Sequence, residues 1–398
     1  MSDPKTVPPL RVGVIGLGIA GAAMVPALCD HPRAVLAGAA DVNAELRRRF
    51  TSDKGLPAVD NALDLIGRDE VDAVYIATPH QFHLEHAVEA ARRGKHIIVE
   101  KPMALSLDDC DVMEQEARRN NVVMIVGHTH GFDLPVLRMR QATTSGEYGR
   151  LSMLSMWNYT NFLYRPRREE ELDTSKGGGV LFNQLPHQVD VARTIADSPV
   201  RSVRASTAIL DPRRPTEGSY TVFIDFESGV TASLVYSGYD HFDSDELHQW
   251  ISSSGKPKKP QHGKARKAWE GLADAKDELE LRQREYGYGG AFLAGESRYQ
   301  PHFGLMVVSC QNADLKIAPD GIAVYSDEGM TTLPLVGGQD GRTNVIDELC
   351  AAVLDDVRPL HDGAFARETL RVCLAVHESA RQRREISIAD LQRRHVSQ

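Results

Sequence analysis

Leu10-Arg11-Val12-Gly13-Val14-Ile15 runs directly into Gly16-Leu17-Gly18-Ile19-Ala20-Gly21. The first six residues read as a buried strand, and residues 19–30 as the helix that follows it. A Gly-x-Gly-x-x-Gly run alone is weak evidence, because glycine triplets arise by chance. Set between a strand and a helix, it makes a statement about backbone space. Gly16 permits the tight turn, Gly18 lets the backbone approach a pyrophosphate, and Gly21 lets helix and strand pack closely. The helix opening at Ile19 then offers free N–H groups and a positive dipole end to phosphate oxygens.

The surrounding residues repeat the pattern. Further apolar runs at 34–40, 71–77, 95–99 and 122–126 alternate with helical stretches at 44–54, 83–93 and 107–120. Near-continuous apolar strands separated by helices predict a doubly wound parallel sheet covered on both faces, the Rossmann arrangement, over residues 1–127. Asp41 closes the second strand about 20 residues past the last glycine, where a carboxylate accepts hydrogen bonds from ribose hydroxyls and repels a 2′-phosphate. NAD is therefore favoured over NADP. The competing reading of Asp41 is a helix cap before Val42-Asn43, and Arg47, Arg48 and Arg49 read as solvated helix-surface charges.

After Gly127 the texture changes. Strand-like runs at 151–159, 200–210, 220–226, 230–236, 302–310, 315–317, 321–325 and 331–335 are joined by turn signals such as Pro-Asp-Gly at 319–321. Helices are expected at 179–195, 343–354 and 365–381. Residues 128–398 thus predict an α+β domain on a largely antiparallel open sheet. Residues 238–290 fit neither pattern, being polar and charged with a helix-like stretch at 265–284. They read as a surface insertion, the alternative being a lid or an oligomer contact.

Composition narrows the functional class. The 398 residues are 42% apolar and carry a formal net charge of −9. That balance argues against a nucleic-acid or anionic-membrane partner. The five cysteines form no Cys-x-x-Cys pair, which fits a reducing cytoplasm better than a disulfide scaffold or zinc site. Residues 1–9 lack the apolar core of a signal peptide, and no uninterrupted apolar run reaches the roughly 18 residues of a membrane span. A cytoplasmic protein is expected.

Glu100-Lys101-Pro102 ends one parallel strand, Ala77-Thr78-Pro79 another, and Gly177-Gly178-Gly179 precedes Asn183-x-x-x-His187-x-x-Asp190. With the glycine motif, these segments resemble the Gfo/Idh/MocA oxidoreductases over nearly the whole chain. The resemblance implies an NAD-dependent alcohol dehydrogenation in which Lys101 is catalytic and binds substrate. His187 is implied as the usual proton acceptor. Asn183 stands where the family commonly has aspartate. It can hydrogen-bond a hydroxyl but cannot take a proton, so proton work shifts to His187 and Lys101. Spaced four apart, Asn183 and His187 are expected on one helix face. The resemblance also brings Thr78, Pro79, His80 and His83 to the nicotinamide ribose and diphosphate, with Ile19 and Glu100 completing the cofactor set. His80, His83 and His86 have spacings reminiscent of metal ligands, but no cysteine or carboxylate completes a site and no metal is expected. Thr129-His130-Gly131-Phe132 replaces the family's usual polar element and makes His130 a substrate contact.

The substrate is read from Asn158 to Arg168. This loop carries Tyr164, Arg165, Arg167 and Arg168 beside aromatic residues, a composition suited to a planar carboxylated ring. Arg167 and Arg168 could instead pair with Glu169, Glu170 and Glu171, which leaves Arg165 the better candidate. Phe162-Leu163-Tyr164-Arg165-Pro166-Arg167-Arg168 and Tyr236-Ser237-Gly238-Tyr239 resemble the subgroup that oxidises phthalate cis-4,5-dihydrodiols to dihydroxyphthalate. A sugar or inositol dehydrogenase would share every cofactor residue, and a non-catalytic NAD-binding sensor would share the fold. The open sheet face predicts a homodimer or homotetramer.

Overall fold

The computed structural model describes residues 8–127, 129–291, 297–335 and 341–395. The chain forms two compact units, the first drawn from residues 1–127, 283–294 and 342–367, the second from the remainder. In the first unit β1 (Leu10–Ile15), β2 (Ala34–Ala40), β3 (Ala58–Val59), β4 (Ala73–Ile76), β5 (His96–Glu100) and β6 (Met124–Gly127) make one sheet. The order is β3-β2-β1-β4-β5-β6 and every neighbouring pair is parallel. The connections are α1 (Ile19–Asp30), α2 (Ala44–Lys54), α3 (Ala62–Ile66), α4 (His83–Arg92) and α5 (Leu107–Arg119). All four residues of β4 are buried, as a strand covered on both faces requires. Asn43 and Ser106 cap α2 and α5, their side chains accepting first-turn N–H groups, and Gly55 ends α2 at φ +66°. The strand order reverses between β1 and β4, so the loops after both strands open at the topological switch point of the sheet.

The second unit is built on nine strands. These are β7 (Leu151–Tyr159), β8 (Val200–Ala208), β9 (Ser219–Phe226), β10 (Thr231–Ser237), β11 (Leu305–Cys310), β12 (Ala313–Ala318), β13 (Gly321–Ser326), β14 (Gly329–Pro334) and β15 (Ile386–Ser387). Their order is β14-β13-β12-β11-β7-β10-β9-β8-β15, antiparallel throughout except for the parallel pair β7 and β10. Leu154, Met156, Val222, Ile224, Leu234, Met306 and Val308 line the buried face. On the other face Met153, Trp157 and Phe223 remain about half exposed.

Several expectations change. The single helix at 179–195 is two, α7 (Gly179–Asn183) and α8 (Leu185–Ala196), with Gln184 between them. Pro186 has no N–H to give to a preceding turn and is tolerated only where a helix begins, so the helix restarts there. The helix-like stretch at 265–284 likewise divides at Gly271 into α9 (Lys264–Glu270) and α10 (Ala275–Tyr286). Strand β3, helix α3, α6 (Leu134–Thr144), β15 and α13 (Ile388–His395) were not anticipated. Helices α11 (Gly341–Leu354) and α12 (Gly363–Gln382) start two residues earlier than read. Residues 283–294 and 342–367 belong with the first unit, which one boundary after Gly127 does not describe. Nor is the insertion mere surface: Asp243, Ser244, Asp245, His248 and Glu278 are all buried.

Part of that buried insertion sets a pH dependence. His302 Nε2 donates to the Ile251 carbonyl at 2.9 Å, and its Nδ1 accepts the Gly304 N–H at 3.1 Å. Its ring stacks on His248 with centroids 3.9 Å apart. Burial pushes both imidazoles down to about 4, with the neighbouring ring adding to the shift at His248. Asp245, Asp243 and Lys258 are the charged neighbours. Both histidines stay neutral when folded and protonate more readily when unfolded, so stability declines as pH falls from about 6.5 towards 4. Urea unfolding at pH 7 and pH 5 should show a loss of about 1–2 kcal/mol per histidine. His302→Asn should flatten that dependence, and an equally steep profile in the variant would contradict it.

Candidate active site

The first unit carries the nucleotide-binding half. Gly16 adopts φ +95°, and a Cβ there would stand 2.7 Å from the Ala77 carbonyl oxygen. A Cβ on Gly21 would lie 1.7 Å from the Gly16 oxygen, so neither position admits a side chain without moving backbone. Gly18 differs from both, because a Cβ there would meet nothing within 4 Å. It is also the N-cap of α1 and provides no side-chain cap. Ile19 opens the helix. The turn therefore presents helix N–H groups to open space, as a cradle for a pyrophosphate requires.

Asp41 stands at the end of β2. Its Oδ2 accepts the Leu17 N–H at 2.6 Å and its Oδ1 the Asn43 N–H at 2.7 Å. The helix cap is Asn43, not Asp41. The carboxylate is thus tied to the glycine loop and retains lone pairs for ribose hydroxyls. Arg47 is not simply solvated, since its Nη1 donates to the carbonyls of Asp41 and Val42. The returning segment adds a brace that sequence reasoning missed. The Tyr288 N–H donates to the Leu17 carbonyl at 3.0 Å, and its ring meets Phe50 with centroids 5.6 Å apart.

The loop after β4 holds Thr78, Pro79 and the short turn beginning at His80. His83 is fully buried, its Nδ1 and Nε2 each 3.0 Å from the carbonyls of Pro102 and Thr78. Burial lowers its pKa. His83, read from the sequence as a cofactor contact, joins the Thr78 loop to the Lys101-Pro102 segment. His86 serves Thr78 in turn, its Nδ1 3.2 Å from Oγ1. Among the described residues no three His, Cys, Asp or Glu side chains converge as a metal site. Glu100 ends β5, where the buried Tyr75 hydroxyl donates to Oε1 and the Lys101 N–H to Oε2 at 3.2 Å. Burial raises Tyr75 well above its ordinary pKa and keeps it a donor. Glu100 is thereby anchored at the base of Lys101. Tyr75 was hidden in an apolar strand and gave no separate signal.

The second unit brings together His130, His187, Phe303 and Tyr236. The two imidazoles meet edge to face with centroids 4.9 Å apart, and Phe303 packs on both at 4.6 and 4.9 Å. Tyr236 stacks on Phe303 at 6.5 Å and donates to Gln184 Oε1 at 3.1 Å. Burial pushes its hydroxyl up to about 12, against the opposing charge of Arg165. Asn183 and His187 do not share one helix face: Asn183 ends α7 and His187 lies in the first turn of α8. The Asn183 amide donates to the Gly179 carbonyl at 2.9 Å and faces that of Gly177 at 3.4 Å, holding the glycine turn.

The arginine loop separates into distinct roles. Arg167 is buried over the Phe162 ring, its Nε and Nη2 donating to the Phe162 carbonyl and its Nη1 3.5 Å from Glu171. Arg168 lies 3.2 Å from Glu170 and 3.5 Å from Glu171, so this predicted substrate contact is occupied by the acidic run. Burial would raise the Glu171 carboxyl, yet Arg167, Arg282 and Arg168 together hold it at about 2. Tyr164, also expected at the substrate, is buried and donates to Asp211 at 2.8 Å, under the Arg266 guanidinium. Arg165 stands apart. Its Nε donates to Asn161 Oδ1 at 2.8 Å, and among the described residues no carboxylate lies within ion-pair distance.

Comparison with known proteins agrees with this geometry. Residues 10–128 match the oxidoreductase family with an NAD-binding Rossmann fold, and residues 136–252 match the GFO/IDH/MocA C-terminal domain. The chain belongs to the Gfo/Idh/MocA family and is an NAD-dependent oxidoreductase acting on CH–OH groups. It is 38% identical over 377 residues to the 1-carboxy-3-chloro-3,4-dihydroxycyclohexa-1,5-diene dehydrogenase of Comamonas testosteroni, covering 94% of this chain and 95% of that one. It is 29% identical to the myo-inositol 2-dehydrogenase of Thermotoga maritima, over 62% of this chain and 74% of that one. A putative dehydrogenase from Bordetella bronchiseptica RB50 superposes with a TM-score of 0.91 at 46% identity, covering 95% of this chain and all of that one.

The glycine geometry makes a paired prediction. Gly18→Ala should fold with wild-type stability but weaken NAD binding roughly 10- to 100-fold, because its methyl group fills the pyrophosphate space. Gly21→Ala should lose about 2–4 kcal/mol of stability. Thermal melts and fluorescence titration of NAD on both variants read the contrast, and equal effects at the two positions would contradict the assignment.

Proposed function

We propose that this dehydrogenase oxidises a cyclohexadiene cis-diol bearing a ring carboxylate to the corresponding catechol. The observation that carries the reading is Arg165. It lies in a loop whose other two arginines are held by carboxylates, yet it has none of its own among the described residues. A guanidinium without a carboxylate partner suits recognition of a ring carboxylate. The Comamonas relative, matched over nearly its full length, is named for such a compound. One available arginine supports one anchored carboxylate. The phthalate dihydrodiol, with two, remains the particular substrate we favour from the Phe162–Arg168 resemblance, its second carboxylate lying outside this contact.

The chain's residues divide the work as follows. Gly16, Gly18, Ile19 and Gly21 receive the dinucleotide phosphates and Asp41 the ribose, with Thr78, Pro79, His80, Glu100 and Lys101 completing that half. NAD, once bound, supplies the acceptor for the hydride. Lys101 binds and polarises the carbinol oxygen and shares the proton work with His187, while Arg165 orients the ring. His130 contacts substrate, and Asn183 holds the turn that carries α7. Oxidation at one carbinol gives a hydroxydienone whose tautomerisation to a catechol draws the reaction forward. A polyol substrate would make no use of Arg165.

Two measurements test this reading. With 4,5-dihydroxy-4,5-dihydrophthalate, or the monocarboxylated diene-diol, Arg165→Ala should raise KM roughly 10- to 100-fold, as removal of a charged hydrogen bond does, and leave the Kd of NAD unchanged. An unchanged KM would remove the carboxylate from this site. The half-exposed face bearing Met153, Trp157 and Phe223 supports a second copy of the chain as its cover. Light scattering should give twice or four times the 43.9 kDa chain mass, and a monomer would overturn that part of the proposal.

A further inference from the structure

Asn183 cannot accept a proton, and its amide is spent on backbone carbonyls. The carboxylate that bonds one of the two clustered imidazole rings comes from a different element. His130 lies in the short turn Thr129–Phe132 that leads into α6, and its Nδ1 stands 2.8 Å from Oδ2 of Asp133. The Asp133 side chain is only 4% exposed. An ionised carboxylate can only accept, so the ring donates from Nδ1 and keeps its lone pair on Nε2. This is the arrangement in which a buried aspartate fixes the tautomer of a histidine base and stabilises the imidazolium that forms.

A second observation comes from helix capping. Asp133 is the N-cap residue of α6, the place where an aspartate carboxylate ordinarily accepts a first-turn N–H. Here it makes no such bond. A cap of about 1 kcal/mol is forgone to hold an imidazole, the pattern of a residue placed for chemistry rather than for stability. The His130 ring is in turn set edge to face against His187 and packed on Phe303, with its side chain 19% exposed.

Resting on the reaction proposed above, we propose that His130 is a further catalytic base of this enzyme and that Asp133 is its positioning carboxylate. The carbinol C–H bond breaks and its hydrogen leaves with the electron pair to NAD. The O–H bond breaks, its proton passes to His130 Nε2, and its electron pair becomes the new C=O bond. On this inference the proton-accepting role passes from His187 to His130, and His187, edge to face with that ring, holds the oxygen. Among the described residues, Asp133 at the head of α6 and His187 on α8 contact the ring, and His302 ahead of β11 interacts with it electrostatically.

His130→Gln should lower kcat about 100-fold, the ordinary worth of a positioned base, and remove the acidic limb of the kcat/KM profile. Asp133→Asn should lower kcat, because the ring loses the carboxylate that fixes its tautomer. Both variants should keep the wild-type Kd for NAD. Nitrogen-15 NMR of the imidazoles gives a readout apart from turnover: His130 should carry its proton on Nδ1 in the wild type and lose that preference in Asp133→Asn. A wild type active on the carboxylated diene-diol with both variants unchanged in kcat and profile would overturn the inference alone. A His130 proton on Nε2 in the wild type would do the same. A wild type inactive on every carboxylated diene-diol would overturn the substrate reading and this base with it.

Discussion

The distance between Gly21 and the carbonyl of Gly16 governs the cofactor half of this protein. A Cβ on Gly21 would stand 1.7 Å from that oxygen, so strand β1 and helix α1 meet as closely as two backbones can. That approach sets the direction of α1 and brings its uncapped N-terminus over the end of the sheet. Everything nearby is tied to the same turn. Leu17 donates its N–H to Asp41 and accepts one from Tyr288, so the Asp41 carboxylate and the returning segment share one residue of the loop. The switch point of the sheet does the rest, because the loop after β4 emerges beside the glycine turn and His83 ties it to the strand end bearing Lys101.

The second unit holds its arginine loop by a different means. Glu278, on insertion helix α10, is a buried hub that accepts the Arg167 backbone N–H at 2.7 Å, Arg214 Nη2 at 2.6 Å and the Trp269 indole N–H at 3.1 Å. Tyr164, on the near side of Arg165, is fixed to Asp211, while Arg167, on the far side, is fixed to Glu278 and Phe162. Buried ions of this kind are expensive to leave without partners, and here each is satisfied by several. Arg165 therefore sits on a backbone fixed on both sides, with its own Nε held by Asn161. Such a mount lowers the entropy lost when a ligand is gripped.

How far the sequence could be read follows from which signals are local. Strands β1 and β2 and helices α1 and α2 are legible to the residue, because buried parallel strands are unbroken apolar runs and Asn43 and Gly55 mark the ends of α2. Strand β3 has two residues and helix α3 five, too short for any periodicity to register. Pro186 was visible, yet the apolar pattern on either side of it concealed the break at Gln184. In the arginine loop the local acidic run correctly warned of pairing at Arg167 and Arg168. The partners of Tyr164 and Arg167 at Asp211, Arg266 and Glu278 lie tens of residues away and leave no local trace. Asp133, three residues after His130, is a local signal that motif matching alone does not pick out.

A ring carboxylate, rather than a polyol, is the proposed recognition element of this dehydrogenase. The most direct measurement is the initial rate of NADH formation on three substrates at equal concentration: a carboxylated cyclohexadiene cis-diol, the same diol without its carboxylate, and myo-inositol. The first should turn over rapidly and the third only slightly. The second has no anion for Arg165 to grip, so at concentrations below KM its rate should be roughly 10- to 100-fold lower than the first. Equal rates with and without the carboxylate, or a preference for myo-inositol, would contradict that proposal.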